Sequence, residues 1–261
     1  MYLFAVALFI IGLFIGSFLG VLIDRLPKGK SVLKGRSKCD FCKKELAWYE
    51  LIPVLSFVIQ NGKCRSCHKK LSLFYLTIEL STGFLFAVTY LLLIHNSEFI
   101  IQNLLFYLLI TSSLIVVFFT DLKYGIIPNK IIFPSVLVTL LWLLFSQQPT
   151  AINHLLSAIG ASLFLTLISY IYYLIRKKES IGGGDIKFAF LMGLLLGFPN
   201  IILAFYIAFL TGAGYSIILI LWARLKLKDS IPFGPFLVLG TFASLYFGRE
   251  ILFLILPYLG L

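Results

Sequence analysis

Charge is scarce in this chain, and negative charge scarcest. Of 261 residues, 13% are Asp, Glu, Lys or Arg, and only 11 are acidic. Soluble globular domains carry about 25% charged residues, so the composition excludes that class. Instead 60% of residues are hydrophobic, with 26 Phe and 13 Tyr among them, and they fall in long unbroken runs. The solvent for most of the chain is therefore lipid. Histidine is also scarce. The three present are scattered, so no histidine-based nucleophile arrangement competes for a catalytic role. No G-x-G-x-x-G fingerprint follows a strand-like segment, so spacing indicates no nucleotide-type site. The first apolar run has no Lys or Arg before it and no small-x-small cleavage pattern after it. It is expected to be a membrane span and not a cleaved signal peptide.

What is present points to an all-α polytopic membrane protein. Apolar runs near 2–23, 72–94, 99–120, 131–146, 152–175, 186–199, 200–222 and 235–258 predict about eight transmembrane helices, at roughly 20 residues each. The fourth and sixth are short. Gly12, Gly16 and Gly20 recur every fourth residue in the first run and predict a close helix–helix approach. Of the 22 Lys and Arg, 21 lie in 24–71, 121–130, 176–185, 223–234 or at Lys187. That asymmetry places these loops in the cytoplasm and both termini outside. The net charge of +11 is thus a topology signal with some affinity for anionic lipid headgroups, and not a nucleic-acid footprint. The expected division is a first helix at 1–23, a cytoplasmic domain at 24–71 and seven membrane helices at 72–261.

The cytoplasmic segment contains all four cysteines: Cys39-Asp-Phe-Cys42, then Cys64-Arg-Ser-Cys67. Two C-x2-C knuckles suit a tetrahedral zinc site, each supplying two thiolates. Paired disulfides are the alternative, and a reducing cytoplasm weighs against them. Four thiolates leave no open coordination position, so the zinc is expected to be structural and to drive folding of the loop. Between the knuckles, Trp48 to Phe57 is apolar but too short to span. It is expected at the headgroup boundary or against the metal site.

Acids in or beside the runs are costly enough to need a reason. Glu250 has Arg249 beside it, and an ion pair or snorkelling accounts for it. Glu79 lies inside the second run. Asp121 ends the third, and Asp185 closes Ser180-Ile-Gly-Gly-Gly-Asp-Ile-Lys187 and opens the sixth. With alternating spans, Asp121 and Asp185 reach the same membrane face. Asp185 suits an N-cap, but Asp121 stands at the unfavourable end of its helix dipole. Capping does not need Gly182, Gly183 and Gly184 either; these permit positive φ or close backbone approach. Two acids brought together can run hydrolysis, one ionised and one protonated. Helix dipoles would favour the ionised state for Asp185 and the protonated state for Asp121. Two rivals from other classes are an ion-coupled transporter lined by Glu79, Asp121 and Asp185 and a membrane-anchored zinc-knuckle binding module.

Together these motifs resemble the prepilin peptidases, or type IV leader peptidases, of the GxGD aspartic membrane proteases. The resemblance runs from Gly16-Ser-Phe-Leu-Gly-Val-Leu-Ile-Asp-Arg-Leu-Pro27 through both cysteine knuckles, with Glu50-Leu-Ile-Pro-Val-Leu-Ser56 and Gly62-Lys-Cys-Arg-Ser-Cys67. It continues with Glu79-Leu-Ser-Thr-Gly83 and Asp121-Leu-Lys-Tyr-Gly-Ile-Ile-Pro-Asn129. It closes with Gly182-Gly-Gly-Asp-Ile-Lys187, Gly193-Leu-Leu-Leu-Gly197 and Pro232-Phe-Gly-Pro-Phe236. It implies a bacterial cytoplasmic-membrane enzyme that cleaves the basic leader of prepilins and pseudopilins on the cytoplasmic side. It further implies N-methylation of the exposed residue by S-adenosylmethionine, with Asp121 and Asp185 as catalytic acids, supported by the glycine loop and Lys187. Cys39, Cys42, Cys64 and Cys67 match the zinc domain of bifunctional members, and Glu50 and Glu79 are candidates for orienting the substrate amine. The sequence departs from the usual family pattern at Leu51, Leu76 and Asn129. A peptidase without the methylation step is the competing reading within the family.

Overall fold

A computed structural model of the chain describes residues 2–32, 35–39, 41–95, 101–145, 150–177, 182–222 and 231–255. Parts of the fifth and seventh loops (178–181 and 223–230) and the edges of three apolar runs (99–100, 146 and 256–258) lie outside them. Each of the eight runs forms a helix: α1 (Tyr2–Arg25), α3 (Leu73–His95), α4 (Ile101–Tyr124), α5 (Asn129–Phe145), α6 (Ala151–Arg176), α7 (Gly183–Leu196), α8 (Asn200–Leu221) and α9 (Gly234–Ile255). The short α2 (Leu55–Ile59) follows a 3-10 turn at Trp48–Leu51 in the cysteine loop.

Among the described residues, six helices are long and apolar enough to cross a membrane: α1, α3, α4, α6, α8 and α9. The expected fourth and sixth spans are shorter, with 17 residues in α5 and 14 in α7. At 1.5 Å per residue these are about 26 and 21 Å, less than a hydrocarbon core of roughly 30 Å. The surroundings of α7 account for its length. Phe188, Ala189 and Leu191 through Leu196 are all buried, with α5, α6, α8 and α9 packed around them. A helix sheathed in protein need not match the thickness of lipid. By contrast α6 exposes Leu163, Leu167, Leu174 and Ile175, an outer face suited to acyl chains.

The helices divide into two compact units, the first ending at Phe119 and the second beginning at Thr120, so α4 passes from one into the other. In the first unit α1 packs along α3 through the expected glycines. A Cβ on Gly12 would lie 2.7 Å from the Gly83 Cα, and one on Gly16 would lie 2.8 Å from the Glu79 Cα. Gly20 meets the Tyr75 ring instead. Above this seam Ala5, Leu8, Tyr90, Leu93 and Leu104 form a buried cluster. In the second unit Gly193 of α7 meets the backbone of Ser157 and Ala158 on α6, and Gly240 of α9 meets Ala204 on α8. The far end of α7 is tied by His154 Nδ1 to the Leu194 carbonyl at 2.9 Å, and Asn153 binds Phe198 through both N–H and C=O.

Gly16→Ala tests the seam. Its Cβ would press on backbone that cannot swing aside, at a cost of about 1–3 kcal/mol. The thermal midpoint in detergent is expected to fall. Gly160→Ala, with nothing within 4 Å of its Cβ, is expected to leave the midpoint unchanged or raise it.

Candidate functional site

The second unit brings the ends of three helices together around two acids. Asp121, on the last turn of α4, is 5% exposed. Its Oδ2 accepts the backbone N–H of Gly234, the first residue of α9, at 2.9 Å. The first N–H groups of a helix have no partner within it and carry the positive end of its dipole. They are therefore suited to meeting a buried carboxylate. A Cβ on Gly234 would stand 2.6 Å from that same oxygen, so only glycine permits the approach. This contact changes the dipole argument. Asp121 sees the carbonyl end of its own helix and the N–H end of another, so helix ends no longer separate the two acids into one ionised and one protonated.

Asp185 is the third residue of α7, and the N-cap is Gly182. The N-cap reading of Asp185 is therefore replaced: Gly182 holds that position, and the Asp185 carboxylate reaches back from the first turn to the Gly182 N–H. Its carboxylate lies within electrostatic reach of Asp121, and its Oδ1 is buried without a hydrogen-bond partner. The three glycines differ in what they do. None has positive φ, so the expected left-handed backbone is absent from 182–184. Gly184 serves close approach, with its Cβ position 3.0 Å from the Ile127 Cβ, and a Cβ on Gly182 would stand 3.3 Å from Asp185 Oδ2. Gly183 has open space around it. Lys187 donates from Nζ to Asn129 Oδ1 at 3.2 Å. It ties the start of α7 to the start of α5.

The first unit holds the cysteines. The sulfurs of Cys39, Cys42, Cys64 and Cys67 lie within 4.8 Å of one another, none is in a disulfide, and Cys39 to Cys67 is 3.9 Å. A tetrahedron with metal–sulfur bonds of about 2.3 Å has edges of about 3.8 Å, so the donor set fits a metal ion. Both knuckles fold alike. Lys43 N–H bonds the Cys39 carbonyl and His68 N–H the Cys64 carbonyl, with positive φ at Lys43 and His68. Backbone N–H groups of Cys67 and Ser66 bring the Cys64 thiol down to about 7. The Lys69 N–H favours the Cys67 thiolate, but burial and the neighbouring sulfurs outweigh it and push that thiol up to about 11. The Cys64 sulfur is thus ready to bind a cation near neutral pH, and a thiolate is the form in which cysteine ligates a metal.

The two glutamates bracket the segment between the knuckles. Glu50 accepts the Ala47 N–H at 2.8 Å, closing its own turn. Glu79, on α3, accepts the Val54 N–H at 2.9 Å. Val54 has φ of 60°, a costly conformation for a β-branched residue. The Arg65 guanidinium lies over the Tyr49 ring, so the segment packs against the second knuckle, one of the two expected placements. Sequence reading had no signal for Val54 or for Gly234 as a donor, because a backbone N–H carries no residue signature. The Tyr75 hydroxyl donates to Asp24, a pairing equally silent in sequence.

Two family models match the sequence: the Bacterial Peptidase A24 N-terminal domain over residues 10–93 and the Type IV leader peptidase family over residues 108–217. The chain is similar to the prepilin leader peptidase/N-methyltransferase of Bacillus subtilis strain 168, at 35% identity over 94% of this chain and 95% of that protein. It is also similar to proteins of the same name from Burkholderia pseudomallei, at 29% identity over 92% and 84% respectively, and from Vibrio cholerae, at 28% over 96% and 99%. No solved structure matches the chain.

Two outcomes follow from this geometry. Gly234→Ala must push Asp121 aside and is expected to cost about 1–3 kcal/mol, read as a lowered thermal midpoint, whereas Gly183→Ala is expected to be silent. Elemental analysis of the purified protein is expected to find one tightly held metal ion per chain. Cys64→Ser is expected to lose it.

Proposed function

Because the chain belongs to the type IV leader peptidase family, we propose that Asp121 and Asp185 cut the peptide bond in its reaction. The chain is a multi-pass membrane enzyme that cleaves prepilin leaders and N-methylates the product, as its relatives' names describe. The observation that carries the assignment is the mutual reach of two carboxylates from two helices, one of them pinned by the Gly234 N–H. Like charges in one site make it costly for both acids to ionise, so the pair shares a proton. The ionised member takes a proton from water, whose oxygen forms a bond to the scissile carbonyl carbon. The protonated member supplies a proton to the leaving amine as the C–N bond breaks. Two acids in electrostatic reach of each other fit a shared site better than acids spread through membrane depth, which counts against the transporter reading.

The excess of Lys and Arg in alternate loops supports a topology with this pair at the cytoplasmic face and both termini outside, in which a basic leader would remain in the cytoplasm. Residues 24–71 form the metal-binding domain, and helices of 72–261 form the protease. Zinc, held by Cys39, Cys42, Cys64 and Cys67, organises the loop without joining the chemistry. S-adenosylmethionine supplies the methyl group. Glu79 and Glu50 orient the substrate amine, on the strength of their shared hold on residues 47–54.

The test uses the full enzyme with a prepilin substrate and labelled methyl donor. Asp121→Asn and Asp185→Asn are each expected to lower cleavage by about a hundredfold to ten-thousandfold. Both are expected to methylate a pre-cleaved pilin normally. The wild-type rate is expected to follow a bell-shaped pH profile with two ionisations. Cleavage undiminished in both variants would remove the two-aspartate assignment.

A further inference from the structure

The segment that carries α2 lies along the opening turns of α3, fixed there by two backbone N–H groups. The Val54 N–H reaches Glu79 Oε2 at 2.9 Å, and Glu79 ends the second turn of a helix that starts at Leu73. The Leu71 N–H, just before that helix begins, reaches the Gly62 carbonyl at 2.7 Å. The stretch from Val54 to Gly62 is thus pinned at both ends beside residues 71–79. From Leu73 to Glu79 the helix rises about 9 Å. Because α3 is long and apolar enough to cross a membrane, this rise covers the level at which the chain enters lipid.

One side of this stretch is covered and the other is not. Pro53 is buried, and the Phe57 ring stands 3.0 Å from the Cβ position of Gly62. Leu55, Val58 and Ile59, at the i, i+3, i+4 spacing of one helix face, are 59%, 61% and 77% exposed. Left in water, that face would forgo the transfer free energy of three large side chains. The charge around it has one sign. Residues 51–78 contain no acid, and Lys63, Lys69 and Lys70 stand exposed between α2 and α3. A backbone bridge pairs Lys63 with Lys70, next to the Gly62–Leu71 contact, so this charge gathers where α3 begins.

We propose that α2 is an interfacial anchor whose exposed face lies in the lipid leaflet where α3 begins, with Lys63 and Lys70 binding anionic phospholipid. Segments that lie in the interface bury an apolar face by about 5–10 Å, the same range as the rise from Leu73 to Glu79. Lysines beside such a face attract anionic headgroups. Glu79 then acts as a peg that sets the depth of the segment, and the second cysteine knuckle is carried on it at the membrane surface. The Val54 end is tied further along α3 than the Gly62 end, so Leu55 sits deeper than Ile59. The proposal does not depend on the two-aspartate reading.

Full-length protein with Trp48, Trp142 and Trp222 replaced by Phe, and a single reporter at Leu55→Trp or Ile59→Trp, tests this. It is reconstituted in vesicles of phosphatidylcholine and phosphatidylglycerol, with the acyl chains of each lipid brominated in turn. Metal content checks that the loop has folded, and Val58→Trp replaces either reporter that loses it. Both reporters are expected to lose about half of their emission to brominated chains and to resist aqueous iodide. Leu55→Trp is expected to respond to bromines deeper in the chains than Ile59→Trp does. At equal mole fraction, brominated phosphatidylglycerol is expected to quench about twofold more than brominated phosphatidylcholine. Lys63→Gln with Lys70→Gln is expected to remove that preference. Iodide quenching without bromine quenching would place the face in water, and resistance to both would show it covered by protein. Either result overturns the proposal, as does equal quenching by the two lipids. Bromine quenching abolished by excess prepilin would assign the face to substrate and overturn it as well.

Discussion

The bond from the Gly234 N–H to Asp121 is the contact on which the rest of the two-acid site depends. A carboxylate withdrawn from water needs a donor, and the carbonyl end of α4 supplies none. The opening N–H groups of another helix do. They can come close only if the residue bearing them has no side chain, and a Cβ at 234 would overlap the carboxylate. That requirement fixes where α9 begins. It also places α9 beside α7, which it contacts, and α7 carries the second acid. One hydrogen bond thus couples a buried charge, a glycine and the packing of two helices.

The same reliance on missing side chains recurs along the spans. Lipid tails are as apolar as leucine, so membrane helices associate by close packing and not by escape from solvent. Gly12, Gly16 and Gly83 bring α1 against α3, Gly193 brings α7 against α6, and Gly240 brings α9 against α8. Glycine has a second use in α7, where Gly184 admits Ile127 at the end bearing Asp185. His154 and Asn153 fasten the opposite end. A short helix held at both ends and buried along its length is a rigid mount for the Asp185 side chain.

The cysteine loop follows different physics. It has little apolar core, and its two similar knuckles present sulfurs at tetrahedral spacing. Glu79 reaches from α3 to the strained Val54 N–H and so ties the loop to its own unit, while Arg65 over Tyr49 holds the loop together internally. Strain of this kind persists only where the surroundings hold it. The sulfur cluster holds donors suited to a metal in one part of the chain, helix packing organises the other, and the two need not fail together.

The sequence alone determined what depends on local spacing. Run length placed all eight helices, and the C-x2-C pairs marked the sulfur donors. The cost of acids in lipid singled out Asp121, Asp185 and Glu79. Tertiary structure decided what depends on neighbours far along the chain. It made α7 shorter than a span because protein surrounds it, took the N-cap role from Asp185, and sorted the needed glycines from Gly183. It also supplied Gly234 and pinned α2 beside the start of α3. The physical reason is that a backbone N–H or a close approach has no one-dimensional signature. Each exists only once two helices have taken a particular register against each other.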